Sequence, residues 1–177
     1  ALSPARTAQQ TARVSLTPAE GALSGPDDTA AFDLRVDDVA KLYGYRVRLR
    51  FDPAIVQVKD VSPADDGVQV ALGEFLDALN SFVLVNQADN SAGIVDIGVT
   101  QTAPATGASG GGVLATITFR GRANGTSDIA LPEVVLVDDT EPVPGKITAE
   151  MSGATITVAG FDAAPKIYLP RSVKGLQ

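Results

Sequence analysis

In the segment YGYRVRLRF, residues 43–51, Arg46, Arg48 and Arg50 fall at every second position and alternate with Tyr45, Val47, Leu49 and Phe51. Side chains of a β-strand point alternately to its two faces, so a period of two predicts a half-buried strand with a cationic outer row. Nine segments between residues 11 and 159 have strand character: 11–17, 30–36, 43–51, 55–62, 81–87, 93–100, 112–121, 127–137 and 153–159. Clusters of Gly, Pro, Asn and Asp separate them at the intervals of an all-β sandwich. In GIVDIGVT, Val95, Ile97 and Val99 alternate with Ile94, Asp96 and Gly98, which suits a strand in one of two packed sheets. One segment departs from this period. In ALGEFLDALN, Leu72, Phe75, Leu76 and Leu79 have helical spacing and predict a short helix or coiled lid closing one end of the core.

The pattern implies one domain over residues 11–160, between a small polar N-terminal tail, 1–10, and a C-terminal tail, 161–177. The latter contains the strand-like KIYLPRSV, in which Ile167, Tyr168, Leu169 and Val173 are candidate assembly residues and Pro170 restricts pairing to a sheet edge. A chain of 177 residues with 45% hydrophobic content can bury a core of its own. The 17 Gly and 11 Pro agree with many short strands and turns. A net charge of -7 argues against nucleic acid and anionic membranes as partners, and no apolar run is long enough to insert in a membrane. The start at ALSPARTAQQ fits a chain whose signal peptide has been removed, and equally a trimmed one; the expected location is secreted or cell surface.

Composition also narrows the chemistry. The sequence has neither His nor Cys, which removes the commonest general base, the commonest metal ligand and the best nucleophile. The adjacent Asp pairs 27/28, 37/38, 65/66 and 138/139 fall in predicted turns or strand ends, where Asp is favoured for its own hydrogen bonding. No D-x-D-x-D-G run occurs, so no cofactor is expected from the residues, with calcium a candidate in the Asp-rich loops. The stretch TGASGGGVLATITF leads into a strand and lacks GK[ST], which excludes a phosphate-binding loop. Carbohydrate-binding sandwiches stack aromatic rings on sugars, but this chain has no Trp and its Tyr43 and Tyr45 lie on the predicted apolar side. The sequon at Asn124 reads as an Asn-Gly turn.

The order of motifs resembles the cohesin modules of cellulosomes and related cell-surface scaffolds. The matching features are YRVRLRFDPAIVQVKDV, GEFL in the next connection, NSAGIVDIGVT, GASGGGVLATITF, and SDIALPEVVLVDDTEPVPGKI followed by GATITV, over roughly residues 11–159. The resemblance implies a nine-stranded jelly-roll sandwich without catalytic activity. It also implies a calcium-loaded dockerin partner, bound on the sheet made of the eighth, third, sixth and fifth segments. Carried over by position, that face contains Arg46, Arg48 and Arg50, with Asp96 and Thr100 beside them and Asn86, Asp89 and Asn90 toward the adjoining turn. The alternative is a secreted structural subunit that binds copies of itself by strand addition of a terminal segment. A carbohydrate-binding module ranks below both.

Overall fold

The computed structural model describes residues 11–162, so the N-terminal tail and the candidate assembly residues Ile167, Tyr168, Leu169 and Val173 lie outside the described residues. The chain forms β1 (Ala12–Thr17), β2 (Glu20–Leu23), β3 (Thr29–Arg50), β4 (Val56–Val58), β5 (Ala71–Leu72), β6 (Ser81–Asp89) and β7 (Ile94–Gln101). It continues through β8 (Ala108–Gly121), β9 (Gly125–Asp138), β10 (Lys146–Ile147), β11 (Ala149–Ser152) and β12 (Ala154–Val158). The result is a β-sandwich, as the alternating pattern predicts, with the outlying short strands β2, β5, β10 and β11 added.

The expected second and third strands are one continuous element, β3, which passes from one sheet to the other. Its first half pairs with β1 and β8 in the back sheet; its second half pairs with β7 and β9 in the front sheet. The transition lies at residues 37–42, where Asp38 and Lys41 both take φ of 55° and the register against β8 shifts twice. Positive φ bends the strand, and Val39 and Leu42 remain buried through the bend. The front sheet therefore has the order β9, β3, β7, β6, with β6 at its edge. Two parallel pairings, β1 with β11 and β2 with β12, bring the first and last described strands together.

Inward side chains from both sheets make one core. Phe119 of β8 meets Phe32 edge-on at 5.9 Å and Phe51 at 5.4 Å, the favoured geometry for aromatic quadrupoles. Val47 and Leu49 of the front sheet are fully buried in this core, and Tyr45 reaches across it to donate its hydroxyl to the Leu114 carbonyl at 2.9 Å. Burial pushes the Tyr45 hydroxyl well above its usual pKa.

The predicted helix over residues 72–79 is absent. Ala71 and Leu72 instead pair with β8, the following residues bend, and only Ala78–Asn80 close a single 3-10 turn, capped by Asp77. Leu76 plugs the core and Phe75 is half-buried over Gly112, but Leu79 is 93% exposed. The apolar spacing thus serves an extended lid with one inward anchor, the coiled form of the expectation. The connection between β4 and β6 is held by side chains: the Asn86 amide bonds both backbone groups of Val70, and Asn90 does the same to Val58. Each amide replaces a neighbouring strand where none is available.

Two substitutions test this packing. Leu49→Ala should cost ~2–5 kcal/mol in urea unfolding, whereas Arg48→Ala should cost under ~1 kcal/mol, and the reverse order would place the wrong face of β3 inside. Gly93 has φ of 71°, and a Cβ there would overlap the Phe51 carbonyl oxygen. Gly93→Ala should therefore lower stability by ~1–3 kcal/mol, and an unchanged melting temperature would contradict the tight turn between β6 and β7.

Candidate functional site: the outward face of the front sheet

Past the bend the outward row of β3 falls on even positions, the reverse of its first half, so Arg46, Arg48 and Arg50 emerge side by side in the middle of the front sheet. The register sets Arg46 opposite Gly98, Arg48 opposite Asp96 and Arg50 opposite Ile94 on β7. On the other side, β9 places Val135 beside Arg46 and Glu133 beside Arg48. Gly98 leaves room for Arg46 to lean across β7: a Cβ at that position would lie 3.6 Å from Arg46 Cγ. The guanidinium then donates to both Asp96 oxygens, Nε to Oδ1 at 3.1 Å and Nη2 to Oδ2 at 2.8 Å.

Arg48 donates to the same Asp96 Oδ2 at 3.1 Å and faces Glu133 at 3.4 Å. The Asp96 side chain is half-buried at 18% exposure, so it is the anchor and the arginines are its more open partners. Hydrogen bonding from Arg46, joined by that from Arg48, holds its carboxyl below the usual carboxylate range, against a partial desolvation that acts the other way.

The remaining sequence candidates divide between the surface and the framework. Thr100 lies on the outward row, opposite Gly44 and Phe82. Asn86 and Asn90 turn inward to the backbone contacts described above. Asp89 accepts from the backbone N–H groups of Ser91 and Ala92, which fixes the tight turn and lowers its pKa. These three side chains are engaged in shaping the edge of the face.

The sequence candidates omit the apolar part of this surface. Phe82 and Leu84 on β6 are 59% and 60% exposed, and Val85 is half-buried beside Gly98. A register shift between Val83 and Val85 brings both Leu84 and Val85 toward Gly98, so the edge strand presents more apolar area than strict alternation allows. Across the arginine row, Val135 and Val137 are half-buried on β9. The signal was the run Phe82 to Val85 in SFVLVNQ, which is apolar at consecutive positions in a strand read as half-buried.

The back sheet is different in kind: its outward positions Arg13, Ser15, Asp33, Arg35, Thr116 and Thr118 are polar, and the apolar ones beside them are the small Ala31 and the half-buried Val113. Among the described residues no group of three or more acidic side chains is arranged to hold a metal ion, and no helix is long and apolar enough to cross a membrane. Asn124, in the sequon, bonds both backbone groups of Phe161 and so clasps the chain leaving β12.

The chain matches the family model for the cohesin domain over residues 14–158. Among solved structures it is similar to the seventh ScaB type I cohesin of Pseudobacteroides cellulosolvens, at 18% identity and TM-score 0.63, covering 88% of this chain and 96% of that one. It is similar also to a non-cellulosomal cohesin of the archaeon Archaeoglobus fulgidus, at 13% identity and TM-score 0.61, covering 84% and 91%. A third is the third ScaC cohesin of Acetivibrio cellulolyticus, solved in complex with the ScaB dockerin, at 17% identity and TM-score 0.61, covering 84% and 99%. A search of curated proteins gave no match. At these identities the structures speak for the fold, and the match over most of the chain speaks for the family. This β-sandwich belongs to the cohesin domain family.

Proposed function

We propose that this module is a non-catalytic docking unit outside the cell, which binds a calcium-loaded dockerin-type protein on the outward surface of β9, β3, β7 and β6. The observation that carries the reading is the contrast between the two sheets. The back sheet is mostly polar outside, whereas the front sheet exposes Phe82 and Leu84 next to an arginine row, ion-paired at Arg46 and Arg48, that is flanked on its other side by Val135 and Val137. An apolar patch joined to ordered charged groups is the composition of a protein interface: the apolar part supplies affinity and the charges fix orientation. Several cohesins of this fold were solved bound to dockerins. Any calcium belongs, in this reading, to the partner.

Dockerins displayed as a library and selected for calcium-dependent binding to the module test this directly. Phe82→Asp or Leu84→Asp should weaken the selected pairs by ~30-fold or more, as expected for a central apolar contact, while Thr118→Asp on the back sheet should leave them unchanged. Equal loss from both sheets, or loss only from Thr118→Asp, would reject the assignment of the face. A chain ending at Asp162 retains every described strand and should bind as the full chain does; strong loss would move the contact to the C-terminal tail and revive self-assembly by strand addition.

The ion-paired centre has its own pH signature. Since the folded-state pKa of Asp96 is depressed, its contribution to stability is present above the unfolded value of ~3.9 and is lost as pH falls through the folded value. Asp96→Asn should therefore flatten the decline of the urea midpoint below about pH 4. An acid limb identical to that of the unaltered protein would mean that Asp96 is not held by the arginines.

A further inference from the structure

The three arginines of the front sheet are not equivalently placed. Arg46 and Arg48 share Asp96, and Arg48 also has Glu133. Arg50, two residues further along the same outward row, lies between Ile94 on β7 and Ala130 on β9, neither of which carries charge. Carboxylates at this end of the sheet are turned to other tasks. Asp52 accepts from the Ala54 N–H, Asp89 holds the turn before β7, and Asp128 accepts from the Thr155 hydroxyl. Among the described residues no ion pair reaches Arg50.

Its situation has a direct physical consequence. Outward side chains two residues apart on a strand start ~7 Å from one another, so Arg48 repels Arg50 while Arg48 alone is compensated. In water this costs little. Under a docked protein, Arg50 would lose its hydration with no counter-charge supplied by its own sheet, and an uncompensated cation in an interface is strongly unfavourable. The partner must supply the missing charge.

We infer that Arg50 selects the partner, and that the docking segment of the dockerin-type protein presents a carboxylate to Arg50 and apolar side chains to Phe82 and Leu84. The inference rests on the docking reading above and adds to it the chemistry of the partner. Arg46 and Arg48 orient the face through Asp96; Arg50 discriminates. A partner with a basic residue at the same place brings two like charges together in a desolvated contact, and one with an apolar residue leaves Arg50 unpaired.

The test uses the ScaB dockerin of Acetivibrio cellulolyticus as a displayed scaffold, with its surface helices randomised, loaded with calcium and selected on the full-length module. The selected dockerins should converge on Asp or Glu at one helix position with apolar residues around it. Arg50→Ala should weaken such a pair at least about tenfold, Arg50→Glu should abolish it, and changing the partner's carboxylate to Lys should restore binding to the Arg50→Glu module. Arg50 is exposed, so these variants keep the fold, which thermal unfolding checks. Dockerins selected without an acidic position, or binding indifferent to Arg50→Glu, overturn this inference and leave the docking reading standing. A selection that yields no calcium-dependent binder overturns both.

Discussion

The architecture depends on the bend in one strand, across which the inward row changes from even positions to odd ones as the strand passes between sheets. β3 contributes its first half to the back sheet and its second half to the front, and its inward residues Phe32, Leu34, Val47 and Leu49 belong to the same core. The bend at Asp38 and Lys41, with its register shifts, must exchange the inward parity, so that even-numbered Arg46, Arg48 and Arg50 face outward after it as odd-numbered Asp33 and Arg35 do before it. A slip of one residue there would drive three guanidinium groups into apolar packing and expel Val47 and Leu49. The cost of burying those charges exceeds any local preference of residues 37–42, so register is set by the core and the bend follows it.

Much of this was legible in the sequence because period two is a local signal. The strand and facing of YGYRVRLRF, and the inward Val95, Ile97 and Val99 of β7, follow from neighbours in the chain. The features that were not legible depend on distant contacts. The spacing of Leu72, Phe75, Leu76 and Leu79 satisfies a helical template, but pairing of residues 71–72 with β8 takes precedence, and a single buried Leu76 replaces a helical stripe. Likewise the residues 37–42 read as a gap between two strands, since no local rule shows that the gap itself stays paired with β8. Asn86 and Asn90 stood out as polar groups near an edge, yet their partners, Val70 and Val58, are invisible until the chain is folded.

The same distinction applies to the candidate site. Alternation was enough to find the cationic row, whereas its internal differences come from the strands on either side. Asp96 unites Arg46 and Arg48 because β7 is in register with β3, and Glu133 reaches Arg48 because β9 is. The apolar flank arises from a bulge at the edge strand, which a strict period of two conceals. A local pattern thus locates the face, and pairing between strands determines its character.

The parallel pairs at the chain ends have a mechanical meaning. β1 lies alongside β11, and β2 alongside β12, each over four matched positions and all running the same way. Tension entering before Ala12 and leaving after Val158 therefore acts along these strands in opposite senses and loads their hydrogen bonds together in shear. Antiparallel ends would peel apart one bond at a time. The topology that seals the sandwich thus also lets it carry force applied along its terminal strands.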